Sequence, residues 1–211
     1  MTSRFARRAL SITGAAVLTL IAALAPQAAF ASPPEGATAP DSSEIQNLIA
    51  NDPSMEYVSV AEAVEQYGFD PSAESTDLGE DTGPVVTPLN DWWGCGWDGV
   101  ADWPHVTSGQ ASVHGYWVYN SGSCPSTADV TVNLQALGCS TLGCTWITQA
   151  TDTAPAVTPG SGTGHWATPH KTCANSNTVG WRGEVFVGLT NFWHPYGASY
   201  GTARDLNCSP A

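Results

Sequence analysis

The sequence predicts an all-β fold: an antiparallel β-sandwich of immunoglobulin-like type, stapled by disulfides and preceded by a flexible acidic segment with short helices. Three observations carry that expectation. Apolar and polar residues alternate through several short runs of the C-terminal part, the period-two signal of half-buried strands. All six cysteines and all nine tryptophans lie beyond Pro88. Residues 32–88, by contrast, hold twelve Asp or Glu and no Lys, Arg, Cys or Trp. Such a stretch has too little apolar surface to offset the entropy of ordering it.

The first 31 residues read as a secretory signal peptide. Arg4, Arg7 and Arg8 lead an apolar run ending at Pro26, and Ala29-Phe30-Ala31 gives the small-x-small cleavage pattern. The run is diluted by Ser, Thr and Gly, so it makes a poor membrane anchor. Ser32 and not a cysteine directly follows the cleavage point, and a lipid anchor is not expected. The protein is therefore expected to be secreted, extracellular and free of the membrane.

Residues 32–88 read as an acidic linker or pro-segment. Within it "SVAEAVEQYG" predicts a short helix, with Ser59 and Glu62 as a capping box and Gly68 as terminator. "SSEIQNLIA" is a second candidate. Helices of that length are marginal alone in water, so the expectation is nascent helix in a solvated chain. The alternative is a docking segment that folds against something through Ile45, Leu48 and Ile49. The negative charge argues against nucleic acid or anionic lipid as partners.

Residues 89–211, about 120 in number, form one ordinary domain. "QASVHGYWVYN" alternates Ala111, Val113, Gly115, Trp117 and Tyr119 against Ser112, His114, Tyr116, Val118 and Asn120. "ADVTVNLQAL" sets Val130, Val132, Leu134 and Ala136 on one face, and "VGWRGEVFVGLT" does the same with Val179, Trp181, Val185, Val187 and Leu189. "CTWITQA" and "ASYGTARDL" are shorter candidates, separated from the others by turn-rich stretches such as "TAPAVTPGSGTG". Seven or eight short strands are expected.

Six cysteines in a secreted domain imply three disulfides. Cys139 and Cys144 flank "STLG" between two strand-like runs, where a hairpin sets them opposite. Cys124–Cys173 and Cys95–Cys208 are the pairings expected for the rest. No C-x-x-C or H-E-x-x-H occurs, so no metal site and no cofactor is expected.

The five histidines, His105, His114, His165, His170 and His194, all fall in this domain without a catalytic spacing. No G-x-S-x-G elbow or Gly-rich phosphate loop is present. Arg182 and Glu184 read as a surface ion pair. The stronger clue is "DWWGCGWDGVADWPHV". Trp92, Trp93, Trp97 and Trp103 lie there among glycines, interleaved with Asp91, Asp98 and Asp102. As exposed rings beside carboxylates they form a ligand platform for sugars. As buried rings they pack a small core, which is the preferred reading. The two readings stand or fall on which of these tryptophans face solvent.

The pieces "WPHVTSGQASVHGYWVYNSGSCP", "ADVTVNLQA", "GHWATPHKTCA" and "TVGWRGEVFVGL" resemble a group of secreted actinobacterial disulfide-bonded β-domain proteins of unassigned function. That resemblance, over roughly residues 103–190, implies an extracytoplasmic disulfide-bonded β domain and brings no catalytic residues. The functional expectation is a secreted non-catalytic binding or structural module, recognising cell-wall or other glycan or another secreted protein. Its rivals are a small secreted hydrolase using loop His and Asp residues, and a protease-inhibitor-like protein.

Overall fold

The computed structural model describes residues 42–71, 94–190 and 198–210. The expected signal peptide and the positions of Asp91, Trp92, Trp93 and His194 lie outside them.

Two helices and a two-residue strand come from the acidic segment: α1 (Ser42–Ala50), β1 (Glu56–Tyr57) and α2 (Val60–Tyr67). The α2 ends are those the sequence specifies. The Ser59 side chain accepts from the Glu62 N–H at 3.1 Å, and Gly68 takes the left-handed conformation at φ 65°. The segment is not a solvated linker along this stretch. The Val58 N–H donates to the Leu137 carbonyl, the Gly180 N–H donates to the Val58 carbonyl, and the Val60 N–H donates to Asp205 Oδ1. Val58, Ala63 and Ile49 are buried. Of the helical face proposed for docking, Ile49 docks while Ile45 and Leu48 stay exposed.

Antiparallel strands make up most of the rest: β2 (Cys95–Ala101), β3 (His105–Thr107), β4 (Gln110–Ser112), β5 (Gly115–Gly122), β6 (Ala128–Ser140), β7 (Gly143–Val157), β8 (His170–Thr172), β9 (Asn175–Leu189), β10 (Ala198–Tyr200) and β11 (Arg204–Ser209). Three of them, β6, β7 and β9, run for 13 to 15 residues, longer than the short strands expected. In the main sheet β7 lies on one side of β6 and β9 on the other; β1 continues the β9 side past Ala136, and β10 and β11 flank β9 outside. Register shifts at Ala128/Val130 and Leu134/Gln135 let a strand this long bend, and the sheet curls into a half-barrel. A ribbon of β2 with β5 and a small sheet β3–β4–β8 complete the domain. The mostly β, antiparallel, disulfide-bonded architecture is the one expected; the curled half-barrel and these registers do not establish the immunoglobulin-like pairing.

The alternation read for the apolar faces of β6 and β9 is the alternation observed, whereas Tyr119, read on the apolar face of its run, is exposed. Val130, Val132, Leu134 and Ala136 of β6 meet Val179, Trp181, Val185, Val187 and Leu189 of β9 and Trp117 of β5 in one buried core. Beyond Leu134 both faces of β6 are buried. The second face is covered by the docked acidic segment, through Val58 and Ala63 against Leu137, Cys139 and Trp146. Gly115 is required where β5 crosses this core, since a Cβ there would collide with Val132.

Three disulfides form, with no free cysteine. Cys139–Cys144 closes the β6–β7 hairpin as expected. The other two expectations are corrected: Cys95 pairs with Cys124 and Cys173 with Cys208. Strand pairing decides both. The β2–β5 register sets Cys95 opposite Gly122, and β11 runs back along β9 so that Ser209 bonds Ala174. The rings closed therefore span 29 and 35 residues rather than most of the domain, each contributing about 4 kcal/mol in the loop-entropy view.

Candidate functional site

The tryptophan-rich stretch is split by the β2–β5 pairing. Trp97 faces inward, only 5% exposed, within the main core. It offers no stacking face. Asp98 accepts from the Asn120 amide at 2.5 Å. Trp103, past the end of β2, is 64% exposed, with the Arg204 guanidinium 5.7 Å from its ring centroid. Among the described residues Trp97 and Trp103 share no platform, and packing is the role of Trp97.

Asp102 has a different role from the one its place between tryptophans suggested. The run read as a single strand, "QASVHGYWVYN", is two: β4 ends at Ser112, β5 begins at Gly115, and the chain changes sheets at Val113-His114. Asp102 holds the break. Its Oδ1 accepts from the His114 backbone N–H at 2.7 Å and its Oδ2 meets His114 Nδ1 at 2.6 Å, while its own N–H donates to the His114 carbonyl. The His105 ring stacks on His114, centroids 5.1 Å apart and planes 28° off parallel, and Trp166 covers His114 at 4.2 Å. His105 Nδ1 lies 3.2 Å from the Trp103 carbonyl and its Nε2 lies 3.1 Å from Ser112 Oγ. The β3–β4 hairpin sets this geometry. Its two-residue Ser108-Gly109 turn, with φ of 52° and 75°, brings His105 opposite Ser112.

The partners fix the tautomers. A carbonyl and a carboxylate only accept, so the neutral rings carry their protons on Nδ1 and their lone pairs on Nε2. Carboxylate, imidazole and hydroxyl are thus all present, but not as a triad. Asp102 orients His114 whereas Ser112 bonds His105. Ser112 is also only 1% exposed, out of reach of a substrate carbonyl. Nucleophilic hydrolysis needs one imidazole joined to both partners, and here two imidazoles divide them.

A second constellation lies on the curled sheet beneath α1. A cleft of about 350 Å³ is lined by Asn47 of α1, Gln135 of β6, Trp146 of β7, Arg182 and Glu184 of β9 and Tyr200 of β10, among others. Arg182 and Glu184 are not the surface pair expected from the sequence. Arg182 is 7% exposed, its guanidinium held between the Trp146 and Tyr200 rings at 4.6 and 4.3 Å from their centroids. Its Nε donates to Gln135 Oε1 at 2.7 Å, and Gln135 Nε2 donates to Glu184 Oε2 at 3.0 Å. Asn133 Nδ2 donates to the same Oε2 at 2.8 Å. Both amides are spent on one oxygen of Glu184. Period-two alternation placed Arg182 and Glu184 on one face, but only the docking of α1 turns that face into a cleft.

Comparison with family models, with curated proteins and with solved structures finds no match for this chain.

Proposed function

We propose that the protein is a secreted, non-catalytic binding module that takes a small polyhydroxylated ligand, a sugar residue of a cell-wall or other glycan, in the cleft under α1. The arginine-rich leader and the three disulfides support the extracellular address. The β2–β5 ribbon layered on the curled sheet supports a sandwich-like scaffold for it.

One observation carries the ligand class: a carboxylate clamped by two side-chain amides through one oxygen, with no described partner on the other. Fixed carboxylates and amides accept and donate to vicinal hydroxyls with defined geometry, and the cleft volume suits one or two sugar rings. Arg182 and Glu184 offset one another in charge, which favours a neutral ligand over an ionic one. Among the described lining residues Glu184 is the one acid, whereas glycoside hydrolysis uses two carboxyl groups across the scissile bond. Binding without cleavage follows.

Calorimetric titration with soluble cell-wall glycan fragments tests this. Glu184→Gln should weaken binding roughly 10-fold or more, the worth of one charge-assisted hydrogen bond, while Trp103→Ala leaves it unchanged. Recovered ligand should be uncleaved. Binding insensitive to Glu184→Gln in a folded variant, or loss on Trp103→Ala instead, would return the weight to the tryptophan-rich stretch.

A further inference from the structure

The stacked imidazoles at the β4–β5 break line neither the cleft nor the buried core. We infer that His105 and His114 form a binding site for a divalent transition-metal ion through their Nε2 atoms, with Asp102 as the carboxylate that orients His114.

Protonation comes first. A histidine ligates a metal as the neutral ring, and its second nitrogen is usually tied by a donated N–H to a carboxylate or a backbone carbonyl. Both forms occur here side by side. His114 gives its Nδ1–H to Asp102 Oδ2, and His105 gives its Nδ1–H to the Trp103 carbonyl. Both lone pairs are therefore on Nε2. That of His114 meets no described group, and that of His105 meets only the Ser112 hydroxyl.

Distance comes next. Donor atoms of Asp102, His105 and His114 lie within 4.8 Å of one another. Two nitrogens on a tetrahedral ion at about 2.0–2.1 Å stand roughly 3.3 Å apart, so the two stacked rings must turn their Nε2 atoms towards one another for the ion to bind. All three side chains are part-buried, reachable by an ion yet held in place. Trp166 braces one side of His114, and Asp102 is fixed at both oxygens by the same histidine.

The donor set selects the ion. Imidazole nitrogen suits Zn²⁺, Ni²⁺ and Cu²⁺, whereas Ca²⁺ and Mg²⁺ require several oxygens. The chain's formal charge of −13 raises the local concentration of any cation. Loading has one internal competitor: the ion must take the His105 lone pair from the Ser112 hydroxyl.

That competition gives the test its sharpest arm. Folded, disulfide-intact protein stripped with chelator is titrated calorimetrically with Zn²⁺, then Ni²⁺, Ca²⁺ and Mg²⁺. The expected result is one equivalent of Zn²⁺ and of Ni²⁺ and no heat from Ca²⁺ or Mg²⁺. His105→Ala and His114→Ala should each weaken Zn²⁺ about 100-fold, and Asp102→Asn about 10-fold. Ser112→Ala should tighten it several-fold by removing the competitor, an effect that a purely structural serine would not produce. This arm stands even where a histidine variant fails to fold. No stoichiometric Zn²⁺ binding at micromolar concentration, full affinity in a folded His105→Ala/His114→Ala protein, unchanged or weaker Zn²⁺ binding in folded Ser112→Ala, or equal binding of Ca²⁺ would each overturn the assignment. The cleft residues are untouched by these variants, so the outcome is separate from that of glycan binding.

Discussion

Replacing Trp97 by Ala should be among the costliest single changes in this molecule, and replacing Trp103 should not. A tryptophan side chain removes about 200 Å² from water when buried, and at about 25 cal/mol per Å² that is roughly 5 kcal/mol. Trp97 is 5% exposed and realises nearly all of it. Partial collapse of the hole left in the main core returns some of this, so about 3 to 5 kcal/mol is expected. Trp103 is 64% exposed, leaving roughly 70 Å² buried, about 2 kcal/mol as an upper estimate with its Arg204 contact included. Urea unfolding with disulfides intact measures the difference. At an m-value of about 2 kcal/mol per molar, Trp97→Ala should lower the midpoint by about 2 M and Trp103→Ala by less than 1 M. Trp97→Phe, which keeps the ring volume in part, should fall between. Equal midpoints for the two alanine variants would refute the assignment of Trp97 to the core and with it the division of the tryptophan-rich stretch.

Gly180→Ala tests the docking of the acidic segment, because a Cβ there would stand 2.8 Å from Val60 Cγ2 and 3.2 Å from its backbone nitrogen. A loss of about 1 to 3 kcal/mol is expected, with faster proteolysis and amide exchange confined at first to residues 42–71; unchanged protection there would argue that the segment is held by other means. Tyr67 donates its hydroxyl proton to Glu56 at 3.1 Å, and that bond, with the charges of Glu56 and Glu62, raises its pKa above the ordinary tyrosine value. The stabilisation from the raised group is complete below the unfolded tyrosine pKa and is lost as pH climbs through the folded one. The absorbance titration of wild type minus Tyr67→Phe should accordingly show a phenol ionising later than free tyrosine, and Glu56→Ala should bring it back; a midpoint at the free value would discount the Glu56 contact.

The strand faces were legible because they rest on one-residue alternation, which burial enforces whatever the partner strand. Val130, Val132 and Leu134 had to share a face with each other before anything was known of β9. The partner itself was not legible, since alternation carries no register, and the two long-range disulfides were misassigned for that reason. Cys139–Cys144 was read correctly because a hairpin ties register to sequence distance. The docked helices show the same limit from another side. Ser59, Glu62 and Gly68 announce α2 locally, but the apolar contacts that make a helix this short persist come from Leu137, Cys139 and Trp146, some seventy to ninety residues on.

Both candidate sites sit where the local pattern and the tertiary structure part company. Gln135 lies where β6 ceases to be two-faced. Alternation assigns it to solvent, and the docking of the acidic segment buries it between Arg182 and Glu184. His114 lies where an apparently continuous strand changes sheets, and its polar position within "SVHGY" gave no hint of the break. A strand pays for such a break with two unpaired backbone groups. Asp102 takes both sides of His114, its carboxylate receiving the backbone N–H and its own N–H meeting the carbonyl. The same carboxylate then fixes the imidazole. One acidic side chain thus ends a strand and orients a ring, so the metal-binding geometry inferred for His114 and the change of sheet at Val113-His114 have a single physical cause.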